Sequence, residues 1–256
     1  KTFGATKAIK TRFLKFKLRI LSFLIGNFML KSKLQKTFLK AQNSYTSAAI
    51  IQEKMQNTLL EVLMKHKQKI HFQNILELGC GNGSFSKKIC NLVTFEHFLA
   101  LDIVDFSKEF LGEKIQFLQF DMENIKMIKN FYQNLPFDFI ASNAALQWCN
   151  QNILLPKLSS LACKNAYLLL GIFGTKNLFE IKKFLGVGLE YLDIHQYYDI
   201  LKKDWDILEC FSTLETLHFH TPIEVFRHLK NTGVNVYGDS FILTKKRLLA
   251  YQQYFN

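Results

Sequence analysis

The sequence ILELGCGNG, at residues 75–83, is the clearest indication of the fold. An apolar run leads into three glycines at alternate positions, and a helix is predicted to begin near Ser84. Glycine is required where the backbone adopts a positive φ or approaches a ligand with no Cβ in between. Because ligands of parallel sheets bind beyond the carboxyl ends of the strands, we expect a nucleotide-like ligand above this turn.

On both sides of the turn, short apolar runs alternate with helical stretches. This alternation predicts a mainly parallel α/β sheet, preceded by N-terminal helices and followed by a helical cap. Strands are predicted over residues 75–78, 98–101, 115–120, 137–142 and 166–173, and a further strand over 214–220. Helices are predicted over residues 35–67, split around Asn43, over 178–198 and over 221–230.

The formal net charge of +12 originates in the N-terminal segment. Eleven basic residues lie within the first 40, the first acidic residue is Glu53, and the chain after residue 40 carries 22 basic and 21 acidic residues. The charge is therefore no evidence that the body of the protein binds nucleic acid. We expect residues 1–28 to be a basic extension of uncertain structure and residues 29–256 to form one principal domain.

The composition excludes several other classes of protein. Hydrophobic residues make up 48% of the chain and there are only 3 prolines, so the protein is neither collagenous nor mainly disordered. The apolar stretch at residues 13–30 holds too few uninterrupted uncharged residues to cross a bilayer, which needs ~20, so we expect no stable membrane insertion. The 5 cysteines contain no C-x-x-C pair, which favours a reducing, cytoplasmic location.

The glycine spacing separates two classes of nucleotide site. The dinucleotide fingerprint would place its third glycine at position 84, which is serine. Gly83, together with Gly79, Gly81 and the acidic Glu77, instead resembles motif I of the class I S-adenosylmethionine-dependent methyltransferases. The resemblance implies a Rossmann-like fold with S-adenosylmethionine as cofactor and with this loop beside its methionine half.

Acidic residues end or follow the next two predicted strands. An ionised carboxylate at Asp102 would accept hydrogen bonds from both ribose hydroxyls, and Asp105 is a nearby alternative. The resemblance implies that Asp121 and Met122 contact the adenine, with the carboxylate accepting from the exocyclic amine. A helix N-cap is the alternative role for Asp121.

The fourth predicted strand leads into SNAALQWC at residues 142–149. Methyltransferases that act on the amines of nucleic-acid bases are expected to have [DNS]-P-P-[YFW] here, and the absence of proline argues against nucleic acid as a partner. The segment instead resembles that of the malonyl-[acyl-carrier protein] O-methyltransferases of biotin synthesis. Further matches to that family lie at residues 38–41, 45–49, 52, 173–175, 178–180 and 228–235, so the resemblance covers roughly residues 35–254.

This resemblance implies methyl transfer to the free carboxyl of a malonyl thioester held by an acyl carrier protein. A carboxyl is already ionised at neutral pH, so the site needs no general base and must instead position the carboxylate and exclude water. Tyr45 and Gln147 are the candidate donors, Trp148 is a candidate wall of the pocket, and Asn143 is expected at the methionine end of the cofactor. Because acyl carrier proteins are acidic, candidate contacts are Lys36, Lys40, Arg227, Lys230, Lys245, Lys246 and Arg247.

Two alternatives remain open at this point. The first is a methyltransferase for a free small carboxylic acid of the trans-aconitate type, whose fourth-strand motif is similar. The second is a protein that binds S-adenosylmethionine without transferring methyl. The family would also continue past residue 254 into a final antiparallel strand, so we expect either that this strand is missing from this sequence or that another segment, such as residues 241–244, fills the edge of the sheet. The histidines show no zinc-ligand pattern, so we expect no metal.

Overall fold

The computed structural model describes residues 31–32, 34–41, 44–45, 47–66, 71–131, 136–186, 188–234 and 244–255. The predicted N-terminal extension, residues 1–28, and residues 241–243 of the candidate last strand lie outside them. The strands are β1 (His71–Leu78), β2 (Thr94–Asp102), β3 (Gln116–Gln119), β4 (Phe137–Asn143) and β5 (Ala162–Gly171). The α-helices include α1 (Ile50–His66), α2 (Ser84–Leu92), α3 (Ile125–Phe131), α4 (Gln151–Leu154), α5 (Phe179–Leu185), α6 (Ile194–Leu201), α7 (Pro222–Asn231) and α8 (Lys245–Phe255).

The five strands form one parallel sheet in the order β3-β2-β1-β4-β5. The chain first moves outward from β1 through β2 to β3 and then crosses to the other side through β4 to β5. The strand order therefore reverses at β1 and β4, which is where open α/β sheets bind their ligands. The parallel sheet predicted from the sequence is confirmed, and β1 and β2 extend further toward their amino ends than predicted.

Apolar side chains cover both faces of the sheet, as the uninterrupted apolar strands require. On one face, Leu63 of α1 and Ile89 of α2 pack over the stacked rings of Phe72 and Phe139, whose centroids are 4.7 Å apart. On the other face, α3, α4 and the 3₁₀ helix Leu155–Leu161 pack against the sheet residues Leu76 and Ile140. These two layers fix the positions of the strand ends.

A third, smaller apolar cluster forms the predicted helical cap. It joins Ile181 of α5, Val225 and Leu229 of α7, and Tyr251 of α8. The residues before α1 are also helical over 34–41, so the predicted N-terminal helices are present on both sides of the residues near Asn43.

Two predictions on the second half of the chain are wrong. Residues 178–198 do not form one helix: α5 ends at Leu185, before Gly186, whose φ is 68°, and α6 begins after the capping box of Asp193 and Gln196. Residues 214–220 form no strand and are mostly exposed. Despite their alternating pattern, these residues pair with no strand of the sheet. Within the described residues, β5 remains an edge strand.

In the part of the chain that the structure describes, every helix falls short of the length and apolar character that crossing a membrane demands.

Candidate functional site

The glycine loop connects β1 to α2 in a backbone conformation that favours glycine. Gly79, Gly81 and Gly83 have φ values of 73°, 54° and 76°. The backbone N–H groups of Gly79 and Cys80 both donate to the Leu101 carbonyl at the end of β2, over 2.8 and 3.0 Å. The loop is thus tied to the neighbouring strand, and its chain direction is set before any ligand binds.

The space around each glycine differs. A Cβ on Gly79 would lie 2.2 Å from the Ala145 Cβ, and one on Gly83 would lie 2.9 Å from the Phe110 ring. A Cβ on Gly81 would meet no atom within 4 Å. Gly79 and Gly83 are therefore needed for packing inside the protein, whereas the backbone at Gly81 borders open space that a ligand can occupy.

Glu77 lies below the loop and is buried. Its carboxylate accepts a hydrogen bond from Ser86 Oγ of α2, over 2.5 Å. Burial raises the pKa of Glu77 to about 8; the charge of Asp102 adds to the rise, and the Ser86 hydrogen bond opposes it. This hydrogen bond connects β1 to the first turn of α2 and so stabilises the two ends of the glycine loop relative to each other.

Asp102 ends β2 and faces the loop. Its Oδ2 accepts from the Gly81 N–H over 2.9 Å, and its Oδ1 accepts from the Val104 N–H over 2.8 Å. Burial raises the pKa of Asp102 to about 6, against the effect of these backbone donors. The Ile103 backbone N–H also favours the ionised form, so the side chain is mostly ionised at neutral pH and keeps some capacity to accept a further hydrogen bond. The alternative, Asp105, is exposed and accepts from the Ser107 N–H instead.

Tyr45 interacts electrostatically with Asp102, although 57 positions separate them in the sequence. Burial raises the pKa of Tyr45 to about 12, and the Asp102 carboxylate contributes to the rise. The phenol consequently remains protonated across the physiological range and is available as a hydrogen-bond donor.

Asp121 and Met122 follow β3 at the same edge of the sheet. The Met122 Cε atom comes within 3.3 Å of a Cβ built on Gly79, so this side chain borders the loop. Asp121 forms an ion pair with Lys31 over 2.5 Å, and Lys31 also pairs with Glu123. Burial lowers the pKa of Lys31, but its bonds to the two carboxylates outweigh burial and leave the pKa raised.

Two buried acceptor atoms lie where β4 ends. Asn143 donates through Nδ2 to the Gln52 carbonyl over 3.1 Å, and its Oδ1 has no hydrogen-bond partner among the described residues. Gln147 donates through Nε2 to the Ala144 carbonyl over 2.6 Å, and its Oε1 is likewise unpaired. Unpaired buried acceptors are costly, so a donor-bearing ligand would be favoured beside them.

Trp148 follows β4 and contacts the N-terminal helix at residues 34–41. Its ring makes an edge-to-face contact with Phe38, with centroids 5.5 Å apart. Phe38 also lies against the turn after α7, where a Cβ on Gly233 would come within 2.7 Å of the phenyl ring. Three segments that are far apart in the sequence therefore meet at Phe38.

Similarity to known proteins agrees with this arrangement. A family model described as a methyltransferase domain matches residues 76–170. A malonyl-[acyl-carrier protein] O-methyltransferase of Calditerrivibrio nitroreducens is 36% identical over 208 residues, which are 81% of this chain and 80% of that protein. The chain belongs to the malonyl-[acyl-carrier protein] O-methyltransferase family.

The chain is also similar to a second protein of this name and to solved methyltransferase structures. The malonyl-[acyl-carrier protein] O-methyltransferase of Haemophilus influenzae is 33% identical over 213 residues, covering 80% of this chain and 78% of that protein. Among solved structures, the N-methyltransferase NodS of Bradyrhizobium japonicum in complex with S-adenosylhomocysteine has a TM-score of 0.43 at 13% identity, covering 63% of this chain and 85% of that one.

As a member of this O-methyltransferase family, the protein is an S-adenosylmethionine-dependent O-methyltransferase with S-adenosylmethionine as its cofactor. The residues present fit that molecule. The open backbone at Gly81 leaves room for it, the carboxylate of Asp102 suits a diol, and the unpaired Asn143 Oδ1 suits an ammonium group. Within the described residues, no group of three or more His, Cys, Asp or Glu side chains could hold a metal ion.

Sequence reasoning missed several residues that the structure brings to the candidate site, because their positions depend on tertiary packing. Lys31 reaches Asp121 across 90 positions, and Gln35 donates through Nε2 to the Ile103 carbonyl over 2.8 Å. Gln56 of α1 accepts from Ser84 Oγ at the start of α2 over 3.3 Å. The two glutamines Gln52 and Gln56 are buried one turn apart on α1, and buried polar residues at helical spacing were the available signal.

Gly79→Ala tests the packing of the loop. We expect this variant to lose at least about 3 kcal/mol of stability and to lose S-adenosylhomocysteine binding, because the added methyl group clashes with Ala145. Gly112→Ala is the matched control: Gly112 has a φ of 78°, but its Cβ would meet nothing within 4 Å, so we expect a loss of roughly 1 kcal/mol. Denaturant unfolding and calorimetry provide both readouts, and equal losses in the two variants would contradict the packing argument.

Glu77→Gln tests the buried carboxyl. A carboxyl whose pKa rises on folding, here from 4.5 to about 8, stabilises the folded state most at low pH and loses that contribution as the pH rises through about 8. We therefore expect the free energy of unfolding of the native sequence to fall between pH 5 and pH 8, and Glu77→Gln to flatten this fall. One pKa unit corresponds to about 1.4 kcal/mol. The exposed Glu61→Gln is the control, and an unchanged slope in Glu77→Gln would refute the assignment.

Proposed function

We propose that the protein transfers the methyl group of S-adenosylmethionine to the free carboxyl of malonyl-[acyl-carrier protein], an early step of biotin synthesis. The observation that carries the proposal is the meeting of Trp148, Phe38 and the Gly233 turn beside the end of β4. These are the segments in which the sequence departs from general methyltransferases and resembles this family. The names of the relatives from Calditerrivibrio and Haemophilus support the same substrate.

The cofactor would lie over the ends of β1, β2 and β4. The loop of Gly79, Gly81 and Gly83 would border its methionine half, supported from below by Glu77. The ribose hydroxyls would donate to the Asp102 carboxylate, which already accepts from the backbone N–H groups of Gly81 and Val104. This carboxylate is already oriented by backbone donors, so little reorganisation is needed on binding.

The two ends of the cofactor would meet different residues. The adenine would pack beside Met122, with Asp121 accepting from its exocyclic amine through a lone pair that its bonds to Lys31 and Glu123 leave free. The ammonium group would donate to Asn143 Oδ1, which is buried and otherwise unpaired. Each contact satisfies an acceptor on this chain.

The chemistry needs no proton transfer from the protein. When bound, S-adenosylmethionine supplies a methyl group on a positively charged sulfur, and the new carboxylate O–C bond forms as the C–S bond breaks with its electron pair remaining on sulfur. Because the carboxyl is ionised at neutral pH, the protein contributes position and exclusion of water.

Three side chains would supply that positioning. Tyr45 remains protonated and would donate to an oxygen of the malonyl group. Gln147 uses one N–H on the Ala144 carbonyl, which orients its amide and leaves the second N–H for the substrate. Trp148, held against Phe38, would form an apolar wall that keeps water from the carboxylate.

A methylation assay with labelled cofactor tests the proposed function. We expect label transfer to malonyl-[acyl-carrier protein] and little transfer to free malonate or trans-aconitate at equal concentration. Equal or faster labelling of a free acid would assign the protein to the small-acid class, and S-adenosylhomocysteine binding without any transfer would make it a non-catalytic binder.

Tyr45→Phe tests the donor role. Removing one hydrogen bond to a charged oxygen costs about 1.5–3 kcal/mol, so we expect kcat/KM for malonyl-[acyl-carrier protein] to fall roughly 10- to 100-fold. Affinity for S-adenosylhomocysteine should remain within about twofold. The control is Tyr198→Phe, a change on the exposed side of α6. A parallel loss of S-adenosylhomocysteine affinity in Tyr45→Phe would instead place the phenol on the cofactor.

A further inference from the structure

The chain exposes a basic surface where the N-terminal helix meets α7. We propose that this surface is the docking site for the acidic acyl carrier protein, an inference that rests on the proposed function. We define the basic surface by six residues: Lys36, Leu39 and Lys40 of the helix at 34–41, and Ile223, Arg227 and Lys230 of α7.

Two contacts bring the helices together. The Ser44 hydroxyl, just after the first helix, is within donating distance of two carbonyls: that of Ala41 in the first helix, at 3.1 Å, and that of Asn231 at the end of α7, at 3.2 Å. Phe38 packs under the Gly233 turn. The C-terminal turns of both helices therefore adjoin, and Lys40 and Lys230 are each one residue from a carbonyl that this hydroxyl joins.

Each helix buries one side and exposes the other. In the first helix, Leu34 and Ala41 are buried, whereas Leu39 is 56% exposed between the exposed Lys36 and Lys40. In α7, Val225 and Leu229 are buried. The residues Ile223, Arg227 and Lys230 are spaced to share the opposite, exposed side, with Ile223 51% exposed. Both helices thus present basic residues beside an exposed apolar side chain.

The charges of the basic surface are unbalanced. No acidic residue occurs between positions 31 and 52 or between 225 and 234. Glu224, at the start of α7, accepts from the His220 backbone N–H. Within the described residues, Lys36, Lys40, Arg227 and Lys230 form no ion pair, whereas Lys54, Lys65 and Lys88 elsewhere are each paired with a glutamate. A surface of this kind complements an acidic helix with apolar residues along its side.

The basic surface is also next to the proposed reaction centre. Phe38 lies on the buried side of the same helix and contacts Trp148. A carrier protein bound to this surface would therefore have its malonyl thioester close to Trp148, the proposed wall of the substrate site. The N-terminal helix would therefore contact the carrier protein through its exposed side and Trp148 through its buried side.

The test is the double charge reversal Lys40→Glu/Lys230→Glu in the full chain. At low salt we expect KM for malonyl-[acyl-carrier protein] to rise about tenfold with kcat retained, and the difference from the native sequence to shrink as salt is added. The rate with malonyl-pantetheine, which has no carrier, should be unchanged. The milder Lys40→Gln/Lys230→Gln should give an intermediate KM.

The matched control is Lys157→Glu/Lys164→Glu, which makes the same change of charge on exposed residues near the amino end of β5. We expect its KM to stay within about twofold of the native value. An unchanged KM in Lys40→Glu/Lys230→Glu, or an equal loss with malonyl-pantetheine, would overturn the docking site. Inhibition of the native protein by nucleic acid but not by unloaded carrier protein would assign the surface to a different partner. Failure of the native chain to methylate malonyl-[acyl-carrier protein] would instead refute the proposed function.

Discussion

The structure of the site depends on the backbone bend after β1. The N–H groups of Gly79 and Cys80 share the Leu101 carbonyl of β2, and the missing Cβ of Gly79 allows Ala145, just after β4, to come close. The bend therefore links three adjacent strands at the point where the strand order reverses. It also aims the Gly81 N–H at Asp102 and starts α2 over the sheet.

Two carboxyl groups in a largely apolar setting surround this bend. Burial raises the pKa of both, but Glu77 rises to about 8 and Asp102 only to about 6. The difference has a structural cause: Glu77 is fully enclosed and accepts from the Ser86 hydroxyl, whereas backbone N–H groups favour the ionised form of Asp102. At neutral pH the pair therefore holds a mostly protonated carboxyl below the loop and a mostly ionised one beside the open space.

The N-terminal helix and the residues around it complete the site from outside the sheet. Lys31 pairs with Asp121 after β3, Gln35 bonds to Ile103 after β2, and Phe38 contacts Trp148 after β4. One short segment thus touches the ends of three strands. Because the same helix adjoins α7, it connects the sheet to the helical cap, and the basic surface lies on the outside of this connection.

The parallel α/β fold, the glycine loop and the acidic residue that ends β2 could all be predicted from the sequence. Apolar periodicity and the conformational freedom of glycine act over a few residues, so they can be read locally. Three features became visible only in the folded chain: Lys31 pairs with Asp121, Phe38 contacts both Trp148 and the Gly233 turn, and residues 214–220 form no strand. Each of these depends on which distant segment packs alongside, and an alternating pattern becomes a strand only where another strand offers it hydrogen bonds.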